Sequence, residues 1–401
     1  MNLPRKKYSL NFKKGLYLIF FFFIFFPFVS PIKTSTDMQP YSVICAFLLL
    51  PSFKFSISRS QILISFFPLI AFLLLFVSDF SFNSLRSLYN YISLFIIYYV
   101  SYKVLKSNVL NIKSIIKFFL SIWISIGILQ TTIKKDLFTF LISESRTTEN
   151  RGATSLAPEP TFFAIILIFF LVFIFQLNLK DKNKYYIAII FSILLVAKSS
   201  MGLVYLLVIF FYLLLTKLSL KLFLITLLSC LFLSLSISFF VDSRLYDLAI
   251  IFIENPSNLI MLDASINDRF FQIFFSIKGF FQFYFLPHGF SNWGKYLAVE
   301  VPKYSDYVMV DYFSSDGRIM SGLGSLLFEL GLFGLLLPIL ILKQNIILYR
   351  KSFIDLFFVL ILIFLLLISA IPIGFSYFGF YLAFIEYINS ENKRDNSFIL
   401  D

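Results

Sequence analysis

Hydrophobic residues fill long, nearly uninterrupted stretches of this chain, and polar residues are concentrated in the segments between them. Runs such as 18–26 are apolar on every face of a helix, whereas a helix on the surface of a water-soluble protein keeps a polar face. About 20 such residues cross the ~30 Å hydrocarbon layer of a membrane. The pattern therefore predicts an all-α, polytopic integral membrane protein, with residues 1–401 forming a single membrane domain.

The apolar stretches predict about twelve transmembrane helices, with ten or eleven as alternatives. The first stretch is interpreted as a retained helix and not as a cleaved signal sequence, because Pro27, Pro31 and many further spans follow it. The predicted helices lie near residues 16–32, 40–53, 62–78, 85–102, 115–133, 159–178, 185–198, 200–216, 220–241, 322–342, 353–371 and 373–388.

The composition fits an integral membrane protein, and the positions of the charged residues predict its orientation in the membrane. Of the 401 residues, 59% are hydrophobic and 14% charged, and the formal net charge is +12. The cations lie between apolar spans, so they indicate topology and no nucleic-acid partner is expected. With the N-terminus inside, 21 cations fall on cytoplasmic segments and three on short outer loops, namely Lys33, Arg86 and Lys198. The positive-inside rule thus predicts both termini in the cytoplasm and the long loops 134–158 and 242–320 outside.

The first long outer loop, 134–158, carries charges that are either solvated or functional. These charges are Glu144, Arg146, Glu149 and Arg151. Glu159 follows the loop, and Pro160 after it suits the first turn of a helix. The Glu159 carboxylate can stabilise the positive end of that helix dipole, or it can face a cavity at the membrane surface and act there.

The second outer loop, 242–320, is too long for a simple connection. Residues 266–285 predict a helix along the membrane surface, with aromatic residues on its other sides and one polar stripe formed by Arg269, Gln272, Ser276 and Gly279. Arg269 would then lie at the depth of the lipid phosphates. It is either a cation that extends to the interface or a specific phosphate ligand.

Three further residues are candidates for chemistry or for structure. His288 is the only histidine, and histidine readily serves as a general base near neutral pH, although a single loop histidine also fits a structural role. Arg318 precedes a glycine-rich helix. Glu329 lies within that apolar helix, where we expect it to support helix packing or a buried hydrogen-bond network.

Several kinds of site are absent from the sequence. Cys45 and Cys230 lie inside apolar runs and predict neither a disulfide nor a thiolate metal site. There is no phosphate-binding loop, dinucleotide glycine motif, histidine cluster or acidic metal motif. We therefore expect no metal or other cofactor and no nucleotide-driven pump.

The two outer loops and the helices after them resemble the O-antigen polymerase and O-antigen ligase superfamily of bacterial envelope enzymes. The resemblance covers roughly residues 134–340 and rests on short motifs in a matching order. These are Arg151-Gly152, Pro158-Glu159-Pro160-Thr161 with Ala164, Asn267-Asp268-Arg269, Pro287-His288-Gly289-Phe290, and Phe328 to Gly334. Thr161 and His288 depart from the serine and the small or apolar residue that are usual at those positions.

The resemblance implies an architecture like that of the C-type membrane glycosyltransferases, and glycan transfer at the outer face of the bacterial inner membrane. The donor would be an oligosaccharide linked to undecaprenyl pyrophosphate, and a chain-length regulator and a flippase would be candidate partners. The ligases carry a histidine just before the helix that here begins at Ser321-Gly322. This chain has none there, which favours a polymerase over a ligase.

A flippase for lipid-linked oligosaccharide is the alternative from another class. Such flippases usually have short loops on both sides, so the long outer loop 242–320 argues against one. A related peptidoglycan glycosyltransferase is a weaker alternative, because its acidic outer-loop motif is not recognisable.

Glycosyl transfer from a pyrophosphate needs cations that hold the leaving group and a base that activates the acceptor hydroxyl. Arginine suits the first task because its planar fork pairs two phosphate oxygens at once. The expected pyrophosphate-binding residues are Arg151 and Arg269, assisted by Arg146 or Arg318. Glu159 is the expected catalytic base, and His288 is the alternative.

Overall fold

The computed structural model of the chain describes residues 5–32, 37–54, 56–146, 151–177, 179–216, 250, 261, 264–309, 319–369 and 371–397. Some predicted features lie outside these residues, namely the span 220–241 with Cys230, part of the loop 242–320, the loop charge Glu149, and Arg318.

The described residues form helices and no β-strand, as the hydrophobic pattern predicts. The α-helices are α1 (Arg5–Phe25), α2 (Tyr41–Leu49), α3 (Arg59–Val77), α4 (Phe82–Lys106), α5 (Ile112–Thr132), α6 (Pro160–Leu177), α7 (Lys182–Phe191), α8 (Ser200–Thr216), α9 (Ala264–Gln282), α10 (Asn292–Glu300), α11 (Gly322–Leu330), α12 (Leu336–Leu348), α13 (Phe353–Ile368) and α14 (Ser376–Ser397). A π-helix, Ser192–Ala197, continues α7, and a 3-10 helix, Gly331–Leu335, joins α11 to α12.

Each predicted span within the described residues overlaps one of these helices, and α9 lies where the surface helix was predicted. The first span differs most, because α1 ends at Phe25. A residue that precedes proline is disfavoured in the helical conformation, so Pro27 ends the helix early. Other helices begin where a polar side chain accepts a hydrogen bond from the first turn, at Ser58, Ser81, Asn111, Ser321 and Ser352.

Four helical segments of the described chain are long and apolar enough to cross a membrane: α3, α5, α6 and the segment Gly322–Leu348. Three further apolar helices, Tyr41–Ser52, α8 and α13, are shorter. Large apolar side chains also face outward, such as Phe76, which is 74% exposed. Lipid, unlike water, solvates such groups at no cost. The protein is therefore membrane-embedded, while the total of about twelve crossings stays a prediction.

The core is built around α6. Its residues 163–174 are almost fully buried, and aromatic rings of α1 and α14 pack against them. Phe173, for example, packs edge-on against Phe380 and stacks on Tyr377. Edge-to-face and offset-stacked pairs are the favoured arrangements of aromatic rings. The high phenylalanine content thus serves helix packing in the centre of the bundle.

The connecting segments gather at two opposite ends of the bundle. At one end, Asp37 pairs with Arg146, and Lys295 pairs with Asp79. These residues all belong to segments that the charge pattern predicts to be outside. At the other end, predicted cytoplasmic segments meet: Lys103 donates to Ser56, and Tyr387 donates to Asn108. Which compartment each end faces stays a prediction.

The loop 285–290 docks onto the end of α11, so two of the resemblance motifs pack against each other. His288 N and Gly289 N donate to the carbonyl oxygens of Phe328 and Glu329, at 3.0 and 3.2 Å. Leu332 N donates back to the Phe285 carbonyl at 2.8 Å. This exchange of backbone hydrogen bonds fixes residues 285–290 of the second outer loop against the bundle.

Glu329 takes part in a buried hydrogen-bond network, which is one of the two roles predicted for it. The carboxylate accepts hydrogen bonds from Ser87 Oγ at 2.8 Å and from Tyr91 Oη at 2.7 Å, both on α4. A carboxylate inside a membrane bundle is costly unless it has such partners. Glu329 therefore joins α11 to α4.

Replacing Gly331 by alanine is expected to destabilise the fold by at least about 2 kcal/mol. Gly331 has φ +58° and ψ −135°, and a Cβ there would lie 2.4 Å from the Phe285 carbonyl oxygen. Thermal unfolding of the detergent-solubilised protein measures the change. The matched control is Gly15→Ala in α1, where a Cβ meets no heavy atom within 4 Å. Unchanged stability of Gly331→Ala would contradict the prediction.

Candidate functional site

A cluster of four charged side chains lies where both predicted outer loops meet. Its members are Asp37 between α1 and α2, Arg146 in the loop 134–158, Glu159 at the start of α6, and Arg269 in α9. We call these four residues the charged cluster. They are between one fifth and two fifths exposed, so the cluster is neither in bulk solvent nor sealed in the core.

Arg146 connects the two carboxylates of the charged cluster. Its Nη1 and Nη2 donate to the two carboxylate oxygens of Asp37, at 3.1 and 2.8 Å, and its Nε donates to Glu159 Oε1 at 3.0 Å. Its backbone N also donates to the Pro158 carbonyl at 2.7 Å, which fixes the loop beside α6. This is the bidentate pairing for which the guanidinium fork is suited.

Burial by itself lowers the pKa of the Arg146 guanidinium, but the hydrogen bonds and charges of Asp37 and Glu159 raise it by more. Arg146 is therefore held firmly as a cation. A charge at a half-buried position is retained only when such partners offset its lost hydration.

Glu159 holds the two arginines together. It lies directly before Pro160, and its carbonyl accepts the Phe163 N–H at 3.2 Å, so it caps α6 as its position in the sequence suggests. Its carboxylate, however, lies between two guanidinium groups: Arg146 Nε is 3.0 Å from Oε1, and Arg269 Nη2 is 3.6 Å from Oε2. The helix-dipole interpretation alone does not account for this bridging position.

Arg269 is positioned by the polar residues of α9. Asn267, which is 1% exposed, donates to the Tyr307 carbonyl at 2.7 Å and accepts the Met309 N–H at 3.0 Å. Gln272 accepts the Met320 N–H at 2.8 Å. The polar stripe thus packs against the protein. The aromatic residues of α9 divide: Phe270 and Phe281 are exposed, whereas Phe271 and Phe275 are buried, so only part of the predicted aromatic face points outward. The asparagine of the Asn-Asp-Arg motif anchors the loop, and the arginine reaches the charged cluster.

Arg151 does not contact the charged cluster in the described structure. Its carbonyl accepts a hydrogen bond from Lys135 Nζ at 2.7 Å, and its side chain forms no ion pair among the described residues. The next residue, Gly152, lies so close to the π-helix that a Cβ would come within 2.0 Å of the Ala197 carbonyl oxygen. Close packing against the π-helix therefore requires a glycine at the second position of the Arg-Gly motif. The predicted anion-binding role of Arg151 stays a prediction.

His288 lies apart from the charged cluster. Its ring stacks on Phe328 at 4.0 Å between centroids and on Phe283 at 4.4 Å, and its Nε2 lies 3.1 Å from the Gly279 carbonyl oxygen. Gly279 is ten residues beyond Arg269 in α9, about 15 Å along the helix axis. Burial lowers the pKa of His288, which the hydrogen bond to Gly279 partly opposes. The structure thus gives His288 a packing environment and does not bring it to Glu159.

Asp37 is the member of the charged cluster that sequence reasoning missed. It belongs to no motif and lies in a short loop. The loop reaches Arg146 because it runs alongside residues 141–143: Ser30 N donates to the Leu141 carbonyl at 2.8 Å, and Gln39 Nε2 donates to Ser143 Oγ at 2.9 Å. No sequence signal pointed to this pairing of segments more than 100 positions apart.

The described residues contain no group of three or more His, Cys, Asp or Glu side chains placed to hold a metal ion. Neither a protein-family model nor a curated protein matches the chain.

Proposed function

We propose that this protein is a polysaccharide polymerase of the membrane. It would transfer a growing glycan from undecaprenyl pyrophosphate to a new lipid-linked repeat unit at the outer face of the bacterial inner membrane. The observation that carries the proposal is the charged cluster, in which two arginines from different outer loops meet at one end of an apolar helix bundle.

The reaction breaks the bond between the anomeric carbon and a pyrophosphate oxygen, and it forms a bond from that carbon to an acceptor hydroxyl oxygen. Negative charge develops on the departing lipid pyrophosphate. Arg146 and Arg269 are the side chains that would stabilise this charge, because guanidinium groups bind phosphate oxygens through paired, charge-assisted hydrogen bonds. Arg151 and Arg318 remain candidates for assistance.

The acceptor hydroxyl must lose its proton to a base as the new bond forms. Glu159 is the carboxylate that lies against both arginines, at 3.0 and 3.6 Å, so a pyrophosphate held by them would bring the reacting carbon to its neighbourhood. Phosphate oxygens would then replace the carboxylate as partners of the guanidinium groups, and the released carboxylate would take the proton. The half-buried, stacked position of His288 supports a structural role for it in this scheme.

Deleting the gene in a bacterium that carries it tests the proposal. Loss of a polymerase leaves single repeat units on the surface, whereas loss of a flippase leaves no surface glycan. Loss of a ligase leaves polymer on its lipid carrier. We expect single repeat units, with full-length polymer restored by the wild-type gene on a plasmid. Either of the other two glycan patterns would contradict the proposed function.

A further inference from the structure

We propose that a cavity beside the charged cluster is a second binding site, which takes a sugar-sized ligand that carries an anionic group. The inference deepens the proposed function, on which it rests for the choice of a glycosyl ligand. In a polymerase, this site would hold one sugar residue of the acceptor repeat unit while the charged cluster holds the donor pyrophosphate.

The cavity has a volume of about 290 Å³ and lies between α2, the first turns of α4, and residues 372–376 before and at the start of α14. Asp37 lines it, and the same carboxylate is bound bidentately by Arg146, so the cavity adjoins the charged cluster. Ligand cavities usually enclose ~300–1,000 Å³. The space therefore suits one sugar ring with a charged substituent, and not an extended oligosaccharide.

One face of α4 presents a row of polar groups to the cavity. Arg86, Asn90 and Ser93 all line it, and their spacing of four and three residues places them on the same face of the helix. Within the described structure, no ion pair or hydrogen bond engages the side chains of Arg86 and Asn90. Ser93 is 1% exposed, and its hydroxyl has no partner in hydrogen-bonding geometry, although the Tyr89 phenol is near.

Unpartnered polar groups in a membrane-embedded helix are costly unless they face a cavity or a ligand. Among the described residues, Asp37 forms its ion pair with Arg146 and none with Arg86. The cavity thus has one uncompensated cation. Arg86 is also one of three cations that the charge pattern leaves on the short outer loops, against the usual bias.

These groups match a pyranose with a phosphate or a carboxylate. The Arg86 guanidinium would bind the anionic group, and Asn90 and Ser93 would exchange hydrogen bonds with ring hydroxyls. Tyr89 also lines the cavity, and its ring would cover the apolar face of the sugar. The anion is either the phosphate of a glycosyl phosphate or the carboxylate of an acidic sugar.

Arginine labelling by phenylglyoxal tests the site in the purified full-length wild-type protein. Mass spectrometry measures the extent of modification at Arg86 and at Arg350, an exposed arginine at the other end of the bundle. Glucose 1-phosphate, glucuronate and neutral glucose are the probes. We expect one of the two anionic sugars to slow Arg86 labelling at least about fivefold at saturation, with no effect at Arg350. Protection by glucose 1-phosphate indicates a phosphate ligand, and protection by glucuronate an acidic sugar.

Direct binding of the protecting sugar gives the second measurement. Arg86→Gln should weaken it by about tenfold or more, the effect of losing a charge-assisted hydrogen bond. Arg350→Gln should leave it unchanged, and Arg269→Gln should preserve it because the charged cluster is a separate site. The proposal would be overturned if neither anionic sugar slowed the labelling of Arg86. It would also be overturned if the Arg86→Gln variant bound the protecting sugar as tightly as the wild type. Neither outcome bears on the deletion phenotype, so failure of this site and failure of the polymerase proposal are distinguishable.

Discussion

Arg269→Lys is expected to reduce polymer synthesis at least about tenfold, and Arg269→Gln about 100-fold or more. Lysine keeps the positive charge but offers no planar fork, so it cannot pair two phosphate oxygens in the way that arginine does. It also has a different reach toward Glu159, which lies 3.6 Å from the Arg269 guanidinium. The measurement is the chain-length distribution and the rate of polymer formation in a deletion strain that carries each variant.

The matched control for this experiment is Arg350→Lys, because Arg350 is exposed and lies at the opposite end of the bundle. It should support polymer synthesis at the wild-type level. Immunoblots and thermal unfolding of the purified variants verify that protein amount and stability are unchanged. Full polymer length and rate from Arg269→Lys would show that the bidentate role is wrong.

Glu159→Gln is expected to lower the polymerisation rate about 100-fold to 10,000-fold, the range typical for loss of a general base. The amide has nearly the same shape as the carboxylate, but it accepts no proton and does not neutralise two arginines. A purified assay with lipid-linked repeat units measures the rate.

Two other carboxylates of the same region provide controls. Glu144 lies 3.8 Å from Arg146 and its side chain is 67% exposed, so Glu144→Gln should have little effect. Asp37→Asn removes the bidentate partner of Arg146 but leaves Glu159 in place, and we expect a rate loss of about tenfold. A wild-type rate from Glu159→Gln would remove Glu159 as the base.

The charged cluster carries its positive and negative charges in equal number: two arginines and two carboxylates. These carboxylates, with the more exposed Glu144 at 3.8 Å from Arg146, hold the two arginines in place without accumulating positive charge. Because a pyrophosphate would displace carboxylates from existing ion pairs, the proposed function implies that the cluster would favour a ligand with several negative oxygens over a single weak anion. This is the electrostatic basis on which it would select a lipid pyrophosphate.

Sequence reasoning identified Arg146, Glu159 and Arg269 as candidates, and the structure brings these three side chains together. Charged residues on long loops stand out in the sequence because apolar spans flank them. Two such loops lie at the same end of a helix bundle when an even number of spans separates them. The same reasoning placed Arg151 ahead of Arg146. The structure places Arg146 in the charged cluster, and the anion-binding role of Arg151 stays a prediction.

The sequence by itself determined the membrane class and, within the described residues, the approximate positions of the helices and the segments that share an end of the bundle. These features follow from hydrophobic length and charge, which are local properties of the chain. Only the tertiary structure decided that Asp37 pairs with Arg146, that His288 is stacked between aromatic rings, and that Arg86 faces a cavity. Each of these depends on the packing of segments distant in sequence, because a side chain acquires its partners only when helices and loops from different parts of the chain meet.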